Sequence, residues 1–186
     1  MSATNLTNHI LIAMPNLVDP IFQQTVTYIC AHNDEGAMGI VINRPLDISL
    51  GEVFTQMAID IEDELVANEP VYSGGPVQHD RGFILHESSM QWESSIHVND
   101  DVSLTTSRDI LQAIASCEGP EQHLVALGYA GWDAGQLEQE IMDNVWLNGD
   151  ADLNLLFEIP VENRWQQAAQ SLGIDLDSLS ADVGHA

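Results

Sequence analysis

Residues 25–43 read TVTYICAHNDEGAMGIVIN, in which two apolar segments flank a polar loop at residues 32–36. The β-branched and aromatic residues of these segments are typical of strands, and the Asn, Asp and Gly of the loop favour a turn. Two strand-like segments joined by a short glycine-containing loop are the sequence pattern of a β-hairpin. This stretch therefore predicts a hairpin, and with it an antiparallel sheet.

Outward from the hairpin, short apolar runs separated by Gly, Pro, Asn and Asp predict further strands. They lie at residues 9–14, 70–72, 81–85, 95–98, 102–104, 124–129 and 153–159. Helices are predicted after a capping box of Ser49 and Glu52, after Thr106 as an N-cap, at about residues 134–146, and from about Val161 to Gly173. Because strands arrive in runs and not in alternation with helices, the predicted fold class is α+β with mostly antiparallel pairing.

The chain has 186 residues, of which 45% are apolar, and this is enough to bury a core of ordinary size. No internal repeat, low-complexity linker or domain boundary interrupts the sequence. We therefore expect residues 1–186 to form a single domain, with a core at about residues 9–174 and an acidic tail at residues 175–186.

The charge balance excludes several classes of protein. There are 29 Asp and Glu residues against 4 Lys and Arg, which gives a formal net charge of -25 at pH 7. Proteins that bind nucleic acid neutralise phosphates with Lys and Arg, and a body this acidic repels both polyanions and anionic membrane surfaces. We expect no direct nucleic-acid contact and no membrane contact. All four cations are arginines, so chemistry that depends on lysine is excluded; they are Arg44, Arg81, Arg108 and Arg164.

Cysteine usage and the N-terminal sequence indicate the compartment. Cys30 and Cys117 are the two cysteines, too few for a disulfide framework, and both are interpreted as packing residues. The sequence has neither a basic N-terminal segment nor an apolar run near the ~18 residues that a membrane span needs. These features predict a cytoplasmic protein. No spacing of His, Cys or Gly predicts a metal site or a cofactor, so none is expected.

Three stretches contain residues that neither a simple core nor a simple surface requires. They are NRP at residues 43–45, YSGGPVQHDRGF at 72–83 and GYAGWDAGQLEQE at 128–140. Together with Met14-Pro15, Asp19-Pro20, His32-Asn33, the segment 36–39 and Arg164-Trp165, they resemble the AlgH/YqgE family of bacterial proteins. The resemblance extends in the family's order from about residue 9 to residue 174.

The resemblance implies an α+β fold with a bent, bifurcated, mostly antiparallel sheet, partly closed into a small barrel and flanked by helices. It implies no established activity. The family's label as a transcriptional regulator came from an effect on alginate synthesis, which does not require contact with DNA.

The position of Glu138 on its predicted helix suggests a buried ion pair. At about 100° per residue, Glu138 lies about 20° from Val145 and about 60° from Ile141, on the apolar side of the helix. A buried carboxylate needs a cation, so we expect Glu138 to pair with Arg44 or Arg81. The alternative is a ligand pocket formed by the same groups, with Tyr129, Trp132 and Gln136 as its walls.

The turn at Gly74-Gly75-Pro76 also allows two interpretations. Paired glycines permit positive φ angles or a close approach of two backbones, and such a turn can also direct N–H groups at an anion. The complete set of candidate residues for binding a ligand or a partner is Asn43, Arg44, Gly74, Gly75, Arg81, Tyr129, Trp132, Gln136, Glu138 and Glu140.

These observations favour a cytoplasmic binding or regulatory protein that acts through a protein partner or a small ligand. Its support is the absence from the sequence of a complete catalytic constellation, a cofactor motif and a basic surface. The first alternative is an enzyme acting on a small anionic substrate in a pocket around Arg44, Arg81 and Glu138. The second is a transcriptional regulator, which the net charge disfavours.

Overall fold

The computed structural model describes residues 5–175, which form ten strands and six α-helices. The strands are β1 (His9–Ala13), β2 (Val26–Asn33), β3 (Gly36–Val41), β4 (Pro45–Ser49), β5 (Pro70–Ser73), β6 (Val77–Glu87), β7 (Ser95–His97), β8 (Val102–Thr105), β9 (His123–Asp133) and β10 (Trp146–Asp150). The helices are α1 (Leu50–Gln56), α2 (Glu64–Ala67), α3 (Arg108–Ala115), α4 (Gln136–Met142), α5 (Leu153–Phe157) and α6 (Arg164–Ser171), the last preceded by a 3-10 turn (Val161–Asn163). None of these helices has the length and apolar character needed to cross a membrane.

One continuous sheet contains all ten strands and branches at β9. Its main path runs β10-β1-β2-β3-β9-β6-β8-β7, with antiparallel pairing throughout. The C-terminal half of β9 pairs with β3, and on the same edge its N-terminal half pairs in parallel with β5, which carries β4. The sheet curls into a half-barrel, and the predicted α+β class with a bent, bifurcated, mostly antiparallel sheet is confirmed.

The predicted hairpin is β2 and β3. Asn33 faces Gly36 across a two-residue turn, and a bulge between Ile29 and Ala31 interrupts an otherwise regular register. The turn is tighter than the five-residue loop that the sequence suggested, because the strands extend through His32 and Asn33.

Both faces of β1, β2 and the second half of β6 are buried, because adjacent apolar residues point to opposite sides of a strand. Ile10 and Ile12 belong to the largest apolar cluster, which α5 and α6 cover, whereas Leu11 lies with α4 in another cluster. On β6, Ile84 joins a third cluster with Leu50 and Phe54 of α1 and Ile110, Leu111 and Ile114 of α3. The half-barrel is thus sandwiched between helices.

Helix α1 begins as the sequence predicts. The Ser49 hydroxyl accepts from the Glu52 N–H at 3.3 Å, and the Glu52 carboxylate accepts from the Ser49 N–H at 2.7 Å, so the capping box is confirmed. Helix α3 begins one residue later than predicted, because its N-cap is Ser107 and not Thr106.

Two elements near the C-terminus differ from the prediction. Residues 153–159 were predicted as a strand, but Leu153–Phe157 is helix α5, in which the Asp152 carboxylate caps the Leu155 N–H at 2.8 Å. The strand is β10, which pairs with β1 at the sheet edge. From the sequence, only its first residue, Trp146, was placed at the end of the preceding helix, and the rest was assigned to no element. A short apolar run fits either structure, and here the cap and the neighbouring strand decide. Of the predicted acidic tail, residues 176–186 lie outside the described residues.

Candidate functional site

The four arginines bond to neutral oxygens and to no carboxylate of residues 5–175. Arg44 donates to the Gln23 carbonyl and Arg108 to the Met57 carbonyl, both at 2.6 Å. Arg81 is exposed and donates to the side chains of Gln78 and Thr106 at 3.5 and 3.3 Å. The three ion pairs within residues 5–175 all use histidine.

Glu138 pairs with His32, so the predicted pair with Arg44 or Arg81 is wrong. The Leu6 N–H donates to His32 Nδ1 at 2.9 Å, which leaves the proton of a neutral ring on Nε2, where it is donated to the Glu138 carboxylate. Its own backbone N–H and then His32 lower the pKa of Glu138. The contact joins β2 to α4, and a buried histidine replaces the expected arginine.

The predicted aromatic walls point to opposite faces of β9. Tyr129 packs edge-on against Phe83 with ring centroids 5.3 Å apart, whereas Trp132 packs against Trp146 at 6.3 Å. Both still border an open cavity of about 480 Å³, whose lining does not include Glu138. Gln136 instead accepts from the Asp133 N–H at 2.9 Å and fixes the turn before α4.

Glu140 is a partly buried carboxylate beside two indoles. Its Oε2 and the Trp146 Nε1 make no hydrogen bond to any residue between 5 and 175. Burial raises the pKa of Glu140, and the nearby Trp146, Trp132 and Gln136 side chains oppose the shift.

Asn43, Gly74 and Gly75 have evident structural roles. Asn43 accepts from the Val26 N–H and donates to the Gln24 carbonyl, both at 2.8 Å. A Cβ on Gly74 would lie 2.3 Å from the Gly128 carbonyl oxygen, so the interpretation of the paired glycines as a close backbone approach fits this geometry. Arg44 borders two cavities, of about 540 and about 280 Å³, whose linings contain neither Arg81 nor Glu138. A role of the ten predicted residues in binding stays a prediction.

A different cavity, of about 390 Å³, contains the buried arginine, and we call it the Arg164 cavity. It lies between the starts of β5 and β9 and helices α5 and α6, and its lining includes Glu69, Tyr72, Gln122, His123, Leu156 and Arg164. Arg164 is 5% exposed, lies 5.3 Å from the Tyr72 ring centroid, and donates to the carbonyls of Ile42 and Ile159.

His123 has the hydrogen-bond partners of a doubly protonated ring in this cavity. Its Nδ1 lies 2.9 Å from the Pro120 carbonyl and its Nε2 lies 2.6 Å from the Glu69 carboxylate. Both partners only accept, so both ring nitrogens carry protons. Burial alone would lower the pKa of His123, but the hydrogen bond and charge of Glu69 outweigh it, and the pKa is raised.

His86 lies opposite His123 in the β6–β9 register, and its pKa is shifted in the opposite direction. It is fully buried, donates from Nδ1 to the Glu87 carbonyl at 2.7 Å, and lies with Nε2 2.7 Å from the Thr105 hydroxyl. Burial lowers the pKa of His86, so the ring is neutral and Nε2 accepts from Thr105.

These two histidines should give opposite pH dependences of stability. A raised folded pKa stabilises the fold below the unfolded value of 6.5, and this contribution is lost as pH rises through the folded pKa of His123. A lowered pKa does the reverse, so the contribution of His86 is lost as pH falls below 6.5. In urea unfolding, the free energy of unfolding that His123→Gln loses relative to wild type should be larger at about pH 5.5 than at about pH 9. The loss for His86→Gln should be smaller at about pH 5.5 than at about pH 9. Equal losses at both pH values would contradict these assignments.

Comparison with known proteins identifies the family. The model of the AlgH-like family matches residues 10–177. The chain belongs to the AlgH-like family. A UPF0301 protein of Thioalkalivibrio sulfidiphilus is 58% identical to this AlgH-like protein over 186 residues, covering 100% of the chain and 99% of the relative. A UPF0301 protein of Azoarcus sp. is 52% identical over 184 residues, covering 99% of the chain and 98% of the relative.

Solved structures agree with this assignment. The solution structure of AlgH from Pseudomonas aeruginosa is 48% identical, superposes with a TM-score of 0.81, and covers 100% of this chain and 98% of that one. A crystal structure of a protein from Corynebacterium diphtheriae has 16% identity and a TM-score of 0.76 over 97% of this chain and 94% of that one, and shows the shared fold alone.

The candidate site of this AlgH-like protein was only partly visible in its sequence. Arg164 belongs to the resembling motif and is one of four cations, and the helical period places it near Ala168 and Leu172 on the apolar face of α6. That signal could have identified it as buried. Nothing in the sequence pairs Glu69 with His123, since 54 residues separate them. Among residues 5–175, no three His, Cys, Asp or Glu side chains converge on a possible metal position.

Proposed function

We propose that this AlgH-like protein is a cytoplasmic, non-catalytic binding protein whose small ligand carries an anionic group. The ligand occupies the Arg164 cavity, and Arg164 holds its anionic group. The net charge of -25 disfavours direct DNA contact, so any regulatory role would depend on this ligand.

One observation supports this proposal above the others: the buried arginine has no carboxylate partner among residues 5–175, although the chain contains 29 Asp and Glu residues. Burying a charge is unfavourable unless it is paired or hydrogen-bonded. The carbonyls of Ile42 and Ile159 accept from Nη1 and Nε of Arg164, whereas Nη2 makes no hydrogen bond to residues 5–175. A guanidinium whose donors are not all used by residues 5–175 suits a carboxylate or a phosphate.

The chemistry of the cavity favours binding over catalysis. His123 already carries both ring protons and so has no lone pair with which to act as a base. Glu69 accepts from His123, and no Ser, Thr or Cys is among the residues that line the cavity. These groups can hold a ligand in place, and the carboxylates of Glu121 and Glu158 have no Ser, Thr or Cys in the lining to activate as a nucleophile.

Calorimetric titration with a panel of small carboxylates, amino acids and inorganic phosphate tests this function. We expect at least one compound to bind wild type. Arg164→Lys should reduce the affinity for that compound about tenfold or more, because an ammonium cannot reproduce the planar array of guanidinium donors. Arg108→Lys, an exposed arginine outside the cavity, is the matched control and should bind as wild type does.

A second variant separates lost binding from lost folding. Gln122→Trp keeps Arg164 and introduces a bulky ring at a partly exposed position of the cavity lining, so it should also weaken binding while the circular dichroism spectrum is retained. The proposal fails if no compound binds wild type, if both cavity variants bind normally, or if the purified chain alone binds a specific DNA sequence in a gel shift.

A further inference from the structure

We infer that the ligand of the Arg164 cavity is zwitterionic, with a carboxylate and an ammonium group joined by a short apolar spacer. This inference rests on the proposed function and specifies the chemical class of its ligand. The structural basis is a cavity of about 390 Å³ that combines one buried guanidinium with two exposed carboxylates, neither of which has a cationic partner among residues 5–175.

The charges of the cavity are of both signs after internal pairing. His123 neutralises Glu69, which removes both from the balance. Glu121 and Glu158 are exposed, and neither forms an ion pair with residues 5–175. The Glu158 carboxylate accepts one hydrogen bond, from the Gln122 amide at 3.1 Å. What is left is a cation at the buried Arg164 and two anions on the exposed side.

This arrangement disfavours ligands with charge of a single sign. Phosphate or a dicarboxylate would pair with Arg164 but would be repelled by Glu121 and Glu158 in a protein of net charge -25. A diamine would pair with these two carboxylates but would place its second charge against the buried guanidinium. A zwitterion has no net charge, and each of its ends meets a group of opposite sign.

Apolar side chains are among the residues that line the cavity. Leu124, Leu156 and Phe157 offer contacts to the methylene groups of a spacer. The cavity volume of about 390 Å³ lies at the small end of the range for ligand sites, which suits a molecule the size of an amino acid.

A homologous series of ω-amino acids tests the inference on the full-length protein. Glycine, β-alanine, 4-aminobutyrate, 5-aminopentanoate and 6-aminohexanoate vary the distance between the two charges. Each is compared by calorimetric titration with the straight-chain acid that lacks the amine and with the amine that lacks the carboxylate. We expect at least one member to bind about tenfold or more tightly than both of its matched compounds.

Charge variants assign the ammonium pole. The double variant Glu121→Gln/Glu158→Gln should reduce the affinity for that amino acid about threefold or more. Its affinity for the matched acid should be unchanged or higher. Both positions are exposed, so folding should be retained. Glu62→Gln removes a charge from an exposed position outside the cavity and should leave both affinities unchanged.

The outcomes distinguish this inference from the proposed function. If simple acids or phosphate bind as tightly as their amino-acid counterparts, and do so through Arg164, the zwitterion inference is overturned and the proposed function stands. The same holds if the double variant binds the amino acid normally. If no member of the series and no compound of the wider panel binds, both are overturned.

Discussion

Gly75→Ala should prevent formation of the native sheet, with a destabilisation above about 4 kcal/mol. Gly75 has a φ of +151°, and an added Cβ would lie 2.1 Å from the Tyr129 carbonyl carbon and 2.4 Å from the Ala130 nitrogen. These atoms belong to the backbone of β9 near the branch point of the sheet, where no flexible side chain can move aside. The clash can be relieved only by separating the β5–β6 connection from β9. Loss of the native circular dichroism spectrum and of dispersed amide resonances would show this.

Gly135→Ala is the matched control for this effect. Gly135 also has a positive φ, of +78°, but a Cβ added there meets nothing within 4 Å. Only the strain of the left-handed backbone remains, which costs about 1 kcal/mol, so this variant should fold and melt a few degrees below wild type. If Gly75→Ala melts as close to wild type as Gly135→Ala does, the close approach of the two backbones is not a constraint on the fold.

Local sequence patterns predicted most of the fold. The hairpin of β2 and β3 was visible because strand propensity and turn residues occur within 19 consecutive residues, 25–43. The capping box at Ser49 and Glu52 was visible because both groups lie within one helical turn. Where strand or helix was decided by contacts with another element, as for β10 and α5, the local pattern was insufficient.

The candidate site depended on contacts that are distant in sequence. The partner of Glu138 is His32, 106 residues away, and helical periodicity could show that the carboxylate lies on an apolar face but not which element packs against it. The expectation that scarce arginines pair with abundant carboxylates was reasonable, yet within residues 5–175 every arginine bonds to a neutral oxygen. Charge counts constrain the class of partner that a protein attracts, but they do not assign individual pairs.

Arg164→Ala should destabilise the protein by about 3 to 5 kcal/mol. The substitution leaves the carbonyls of Ile42 and Ile159 without their donor, removes the guanidinium from the Tyr72 ring, and creates a void at the start of α6. Arg81→Ala makes the same chemical change at an exposed position, where the side chain bonds to Gln78 and Thr106, and should cost about 0.5 kcal/mol or less. Urea unfolding of both variants at neutral pH measures the difference.

Arg164→Lys adds an intermediate case, because it retains the charge and most of the aliphatic stem but has fewer donors in a fixed geometry. Its loss of stability should fall between those of Arg81→Ala and Arg164→Ala. If Arg164→Ala costs no more than Arg81→Ala, water must satisfy the two carbonyls as well as the guanidinium does. The arginine would then be no fixed part of α6, and a ligand would have no preformed cation to meet in the cavity. The stability of Arg164→Ala therefore tests whether Arg164 is held in place before any ligand binds.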